Sequence, residues 1–328
     1  MIGVLTRRSY DNTGLQTFES NIVPALEQCL DSIERIEFTG FRDSYPFSRT
    51  IEKFTLSRRL RKKCQGYETV FVPEQSMLQM NPADVDAEIV PYVHDIFPVT
   101  RMYASQTDPF RDRVNHYTFD LVNRRNLMCV VACDRIVAAS AFTRSEITEK
   151  TAFDGDIDVV YQGVDHLPHV MSEHQDIDLL YVGAAHQERK NPDFIREAFS
   201  RAAEAGFETQ AVVKQSVDIP GTTHTEISDR KLARLYDRSS YYLHPSYAEG
   251  FGRCPVEAQS FGTVPLALDR EINSEVLGDP GVHWHRIDSP DEVVSLIESS
   301  PEEFFPSANA SRYKWSATAK GIAASLIG

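Results

Sequence analysis

No stretch of this sequence approaches the ~20 consecutive apolar residues of a membrane-spanning helix. The opening MIGVLTRRSY holds too short an apolar run for a secretory signal. The chain is therefore expected in the cytoplasm, soluble or resting on the inner face of a membrane. Cysteines are few: Cys29, Cys64, Cys129, Cys133 and Cys254 are five among 328 residues. Their number is odd, their spacing is scattered and no Cys-x-x-Cys pair occurs, which predicts reduced thiols. Positive charge is also short, with 34 Lys and Arg against 48 Asp and Glu and a net charge of -14. So acidic a surface excludes nucleic acid as the main partner, because a phosphate-tracking protein needs a basic face. His166, His169 and His174 lack a partner at zinc spacing, as do His283 and His285. Asp-x-Asp recurs at Asp84/Asp86, Asp154/Asp156/Asp158 and Asp176/Asp178, as chance gives in an acidic chain, so neither a metal site nor a cofactor is expected. Short-period repeats and low-complexity tracts are absent too.

What is present is an ordinary globular composition, 41% hydrophobic and 25% charged, at a length that suits two α/β domains. Short β-branched runs alternate with longer amphipathic ones, the mark of parallel sheets with crossover helices. In the first half, strands are predicted at Ile2–Thr6, Ile33–Phe38, Thr69–Pro73, Ile89–His94, Arg135–Ser140 and Asp158–Gln162. Helices are predicted at Leu15–Leu30, Thr50–Lys63 and Thr143–Thr151, with a broken helical region over Arg101–Leu127. In the second half, strands at Leu179–Val182, Gln210–Lys214, Tyr241–His244 and Val264–Leu268 alternate with helices. These helices are Pro192–Ala205, Asp229–Asp237, Pro255–Phe261 and Pro290–Glu298, and Tyr313–Leu326 closes the pattern. Asn191 reads as the N-cap of the helix that Pro192 opens. The polar stretch His166–Asp176 reads as a linker. The expected architecture is α/β, with two doubly wound domains whose strand ends leave a ligand crevice.

The most informative segment is HPSYAEGFGRCPVEAQSFGTVPLALD, from His244 to Asp269. A strand ends at His244, Glu249-Gly250-Phe251-Gly252 forms a turn, and Pro255 is expected to start a helix. The glycines allow close backbone approach, and the free N–H groups of a helix start suit a phosphate. Glu257, on that helix's first turn and eight residues after Glu249, can face the same ligand. This segment resembles the Glu-x7-Glu signature of retaining glycosyltransferases of family four, which have the GT-B fold. Pro245-Ser246 before the first glutamate, Gly-Phe-Gly after it and Glu257-Ala258 in the helix all match in register.

The resemblance implies two Rossmann-like domains facing a central cleft: an acceptor-side domain over 1–168, a nucleotide-sugar domain over 169–310, and a helix over 311–328 crossing back. It implies that Glu249 meets hydroxyls of a donor sugar and Glu257 the ribose of its nucleotide. Glu188-Arg189-Lys190-Asn191-Pro192 resembles the family's basic element, whose cations suit a diphosphate, and Lys214 resembles a second basic position. Ala184 departs from relatives that carry arginine there, which shifts weight to Arg189, Lys190 and Lys214. Pro91–Pro98 resembles the His-Asp element of mannosyltransferase-like relatives and places His94 toward the sugar. Cys133–Glu146, Gln162–Asp165, and Tyr313 with Trp315 resemble further family passages. Gly14 stands where relatives carry a glycine-containing loop.

The resemblance makes Glu249, His94 and Lys190 the catalytic candidates. It makes Arg189, Lys214, Gly250, Phe251, Gly252, Glu257 and Gly14 the donor-binding ones. The implied activity is retaining, metal-independent transfer of a hexose, mannose or glucose, from a nucleotide diphosphate sugar to a glycan or lipid-linked acceptor. The alternative is a catalytically silent, nucleotide-binding partner subunit of the same fold. Arg58-Arg59-Leu60-Arg61-Lys62-Lys63 is the one dense basic run, and it suits either an anionic membrane surface or a solvated helix face.

Overall fold

The computed structural model describes residues 1–7, 14–38, 57–78, 80–96, 124–172, 174–213, 218–299 and 304–328. Two compact units divide the chain: unit 1 comprises Met1–Gln162 with Trp315–Gly328, and unit 2 comprises Gly163–Lys314. The chain thus leaves unit 1 and returns to it. The two passing segments meet where the Val164 N–H donates to the Tyr313 carbonyl at 3.1 Å.

Unit 1 is built on strands β1 (Ile2–Arg7), β2 (Ile33–Phe38), β3 (Thr69–Val72), β4 (Glu88–Val93), β5 (Arg135–Ala138) and β6 (Asp156–Val159). They lie all parallel in the order β2-β1-β3-β4-β5-β6. Central strands covered on both faces are near-continuous apolar runs, as the fully buried TVFV of β3 is. One face packs Leu5, Val70, Val72, Ile89 and Val93 against helices α2 (residues 57–64), α3 (residues 124–130) and α4 (Ala141–Lys150). The other face carries α1 (Gly14–Cys29), which packs against the last helix, α11 (Trp315–Ile327). The Phe18 ring of α1 stacks 4.4 Å from Tyr92 and 5.6 Å from Trp315. Gly321 permits the closest approach, because a Cβ there would fall 2.9 Å from a Val160 methyl.

Unit 2 repeats the plan with β7 (Ile177–Gly183), β8 (Thr209–Val213), β9 (Thr222–His224), β10 (Ser239–His244), β11 (Val264–Leu268) and β12 (His285–Ile287). These are again all parallel, in the order β12-β11-β10-β7-β8-β9. Its helices are α5 (Pro192–Glu204), α6 (Asp229–Arg238), α7 (Arg253–Ser260), α8 (Glu271–Leu277), α9 (Pro290–Glu298) and α10 (Pro306–Ala310). Ile195, Ala198 and Phe199 of α5 and Val293 of α9 cover one face of the sheet. Leu235 and Tyr236 of α6 and Ala258 of α7 cover the other. All five cysteines are free thiols, three of them buried.

Most expected elements are present within a residue or two of the predicted bounds; three readings are corrected and one is corrected in part. Asn191 stands at the expected N-cap position of α5, with Pro192 opening the helix, but its side chain makes no capping hydrogen bond. It adopts a left-handed conformation (φ 61) that ends a 3-10 turn at Glu188–Lys190, while its carbonyl accepts the Ile195 N–H. The helix after the glycine turn starts at Arg253, so Pro255 lies inside its first turn and Glu257 follows in the second. The strand predicted at Asp158–Gln162 runs over Asp156–Val159. The helix predicted from Tyr313 begins at Trp315. Residues 50–56 and 101–123 of two predicted helices lie outside the described residues.

Candidate functional site

Chain winding decides where a site can form. In unit 2, β7 is followed by strands on one side and β10 by strands on the other, so the order reverses between them. Parallel α/β sheets bind ligands outside the carboxyl ends of strands at such a switch point, where the two outgoing loops diverge. Here the loop leaving β7 carries Arg189 and Lys190, and the loop leaving β10 carries Glu249. The loops are tied through the backbone by the Tyr247 N–H donating to the Arg189 carbonyl at 2.8 Å.

Glu249 is 8% exposed. The Lys190 Nζ donates to its Oε1 at 2.5 Å, and the Arg189 guanidinium donates to its Oε2 at 3.0 Å. Arg189 also donates to the Ala248 carbonyl at 3.3 Å, which fixes the guanidinium against the same loop. Burial works to raise the Glu249 carboxyl, but the two cations and His244 outweigh it and hold the group well below the usual carboxylate range. His244, at the end of β10, is pushed down to about 4, chiefly by burial. Its Nε2 is buried without a hydrogen-bond partner among the described residues, as are the Ser246 hydroxyl and the Tyr181 hydroxyl. Sequence reasoning assigned no role to these three groups, because Tyr181 and His244 stand in strands that read as core and Ser246 entered only as part of a matching motif.

Gly252 enables the turn. It sits in the left-handed region (φ 77) as the N-cap of α7, and no atom lies closer than 3.7 Å to the point a Cβ would occupy. Gly250 and Phe251 are buried beside it, and the Phe251 ring meets Tyr313 edge-on at 5.2 Å. Glu257 is 3% exposed and fully engaged: Arg253 Nε donates at 2.8 Å to one oxygen and the Tyr236 hydroxyl at 3.1 Å to the other. The His166 Nε2 stands 3.7 Å from Glu257 Oε1. Both glutamates therefore belong to one loop-and-helix passage, Glu249 paired with Lys190 and Arg189 and Glu257 with Arg253. Lys214 lies outside the described residues.

Unit 1 has its own switch point, between β1 and β3. At the end of β1 the Arg7 side chain pairs with Glu74 at 3.2 Å and donates to the Ser76 hydroxyl at 3.0 Å. Its backbone N–H donates to Glu19 Oε1 at 3.1 Å. Burial raises the Glu19 carboxyl to about 7, against the lowering effect of Arg7. The other Glu19 oxygen and the buried Thr6 hydroxyl have no hydrogen-bond partner among the described residues. Nothing in the sequence flagged this group, since its members are scattered over 69 positions and form no motif.

His94 follows β4 and is 8% exposed. Its Nε2 stands 3.0 Å from the Pro73 carbonyl, which can only accept, so that nitrogen carries the proton. Its Nδ1 then accepts from the Gln162 amide at 3.1 Å. Both imidazole nitrogens are thus engaged inside unit 1. Gly14 opens α1. Among the described residues no three His, Cys, Asp or Glu side chains are grouped as a metal site.

Against known proteins, residues 222–299 match the family model described as glycosyl transferases group 1, a span that includes Glu249 and Glu257. The O-antigen chain mannosyltransferase RfbU of Salmonella typhimurium is 24% identical to this chain over 190 residues, which cover 53% of this chain and 54% of RfbU. The chain spans about half, or less, of the length of the curated relatives it matches. Among solved structures, WaaG, a glycosyltransferase involved in lipopolysaccharide biosynthesis, superposes with a TM-score of 0.68 at 11% identity over 100% of both chains. HepE of Anabaena in complex with UDP-glucose gives a TM-score of 0.68 at 14% identity over 99% of both. At such identities the likeness is one of fold. The fold is GT-B, with two Rossmann-like parallel sheets of six strands each.

Proposed function

We propose that this chain is a retaining hexosyltransferase that moves mannose or glucose from a nucleotide diphosphate sugar to a glycan or lipid-linked acceptor. The observation that carries the reading is Glu249 held by Lys190 and Arg189 at the unit 2 switch point, inside the segment that matches the group 1 family. Two cations beside a helix start suit a diphosphate leaving group, and HepE, of the same fold, has been solved with UDP-glucose. RfbU is the ground for favouring mannose, and WaaG for placing the chain in polysaccharide or glycoconjugate assembly.

In this reading Lys190 and Arg189 stabilise the charge that grows on the β-phosphate as its bond to the anomeric carbon breaks. The acceptor oxygen bonds that carbon from the same face, and its proton passes to the departing phosphate, so no metal and no enzymic nucleophile are needed. Glu249 orients the sugar, Glu257 receives the ribose hydroxyls, and the glycine turn Gly250–Gly252 brings backbone N–H groups to the phosphates. Lys214 adds a further cation. In unit 1, Gly14 belongs to the donor-binding set, and His94 hydrogen-bonds the sugar by releasing the Pro73 carbonyl or the Gln162 amide. The basic face of α2, with Arg58, Arg59, Arg61, Lys62 and Lys63, rests the protein on an anionic membrane where a lipid-linked acceptor resides.

The test is titration calorimetry and hydrolysis with UDP-, GDP- and ADP-linked glucose and mannose. One donor is expected to bind at micromolar level and to be hydrolysed slowly. Glu249→Ala should lower that hydrolysis by about 10–100-fold, equivalent to about 1.4–2.7 kcal/mol of transition-state stabilisation. Binding without hydrolysis or transfer to any acceptor would instead favour the silent partner subunit. No nucleotide binding at all would overturn both readings.

A further inference from the structure

Two of the cations assigned to the diphosphate, Lys190 and Arg189, already have an anion, and it is the protein's own. Glu249 is buried, each of its oxygens takes one cation, and the Lys190 and Arg189 side chains are only 14% and 30% exposed. A diphosphate brings at least two further negative charges to the same pair. Lys190 and Arg189 carry two positive charges against at least three negative ones from the carboxylate and the diphosphate, so the two anions compete for this pair, and a buried charge stripped of its partner is strongly disfavoured. Resting on the proposed function, we infer that Glu249 is an internal competitor of the nucleotide's diphosphate, displaced when the sugar nucleotide binds and returning when the sugar has left.

The exchange works only if the displaced carboxylate finds new partners. The hydroxyls of a bound hexose supply them, since a carboxylate accepts from two hydroxyls as readily as from two cations. The Glu249 side chain lies against Gly252, where a Cβ would stand 3.7 Å from Glu249 Cβ and Cγ and from His244 Nε2, so the glycine adds no side chain to hinder the movement. The His244 Nε2 at that distance is buried with no hydrogen-bond partner among the described residues, so a hydrogen-bonding nitrogen stands beside Gly252 and the Glu249 side chain. A nucleoside diphosphate without its sugar offers no hydroxyls there and leaves Glu249 buried and unpaired. Glu249 therefore discriminates between donor and product, and it drives the product off by reclaiming Lys190 and Arg189. A glutamate that merely orients the sugar would not affect how the bare nucleoside diphosphate binds.

The experiment compares wild type with Glu249→Gln, which keeps the shape and removes the charge, in calorimetric titrations with UDP, GDP and ADP and their glucose and mannose esters. Exchange predicts that the variant binds the matching nucleoside diphosphate at least about tenfold tighter. It predicts that the sugar ester binds no tighter than before, and that product inhibition strengthens in step. If both ligands tighten equally, simple charge repulsion suffices and the inference fails; if neither tightens, the cations serve both anions and it fails as well. Wild type gives a second reading that does not depend on the variant folding: the ester should bind at least about tenfold tighter than the diphosphate, and equal affinities would overturn the exchange. Absence of any nucleotide binding to wild type would instead remove the proposed function, and this inference with it.

Discussion

Glu19 reaches from α1 to the end of β1, takes the Arg7 amide on one oxygen and leaves the other without a hydrogen-bond partner among the described residues. Because burial lifts its carboxyl from 4.5 to about 7, the folded chain keeps a proton there that the unfolded chain releases. Folding thus binds more protons across that window, and stability falls as pH rises through it. The contribution is on the order of 2–3 kcal/mol between its two limits. Glu19→Gln, neutral at every pH, should lose that slope. Denaturant midpoints of the variant should lie near wild type at pH 5 and above it at pH 8. Parallel profiles for the two proteins would remove Glu19 as the source. At the same scale, the ion pairs of Glu249 show what a motif hides. The Glu-x7-Glu spacing singles out the glutamates, and the basic element singles out Arg189 and Lys190. That the two sets satisfy each other across 60 residues follows from strand order alone.

Among the elements, α2 separates two kinds of basic residue that the sequence presents as one run. Leu60 and Cys64 face the core, and Arg61 turns toward Asp84 at 3.2 Å. Lys63 donates to the Glu37 carbonyl at 2.5 Å. Arg58, Arg59 and Lys62 remain exposed. A cation near an anionic bilayer contributes about 1 kcal/mol, so replacing these three with glutamine should weaken binding to phosphatidylserine vesicles by about 100-fold. Replacing Arg61 alone should change vesicle binding little. Vesicle flotation that leaves the triple variant bound like wild type would return α2 to a solvated face. Element boundaries show where the sequence reading succeeds and where it fails. Apolar runs gave the core strands, since burial on both faces leaves little else they can be. Helix starts were read in part: Asn191 takes the N-cap position of α5, but in a left-handed conformation and without a side-chain hydrogen bond. Gly252, with no side chain to signal a cap, is where α7 is nucleated. The helix α8 and the short edge strand β9 went unseen, because neither has a long enough period to stand out.

For the whole molecule, continuity distinguishes the units. Unit 2 is one uninterrupted stretch with its own two-faced sheet, whereas unit 1 is completed by a segment that arrives 152 residues after it was left. Trp315, Ala319, Ile322 and Leu326 of that segment are buried, and α11 lies against α1. Residues 163–314 expressed alone should therefore fold cooperatively and keep nucleoside diphosphate affinity within about tenfold of the full chain, a difference of about 1.4 kcal/mol. Residues 1–162 alone should not reach a cooperative fold, because the α1 face would be left uncovered. Circular dichroism melts and calorimetry on the two pieces decide this. A non-cooperative 163–314 would show that unit 2 depends on the rest of the chain.

One hydrogen bond, from Val164 to Tyr313, makes the beginning and the end of unit 2 neighbours in space. A stretch of chain whose ends meet can be lifted out, closed on itself or set into another host through a linker of a few residues, with no other strand rethreaded. In genetic terms unit 2 is a cassette with two adjacent seams, so a single exchange between these seams replaces the whole Glu249 site and leaves the host sheet, α1 and α11 as they were.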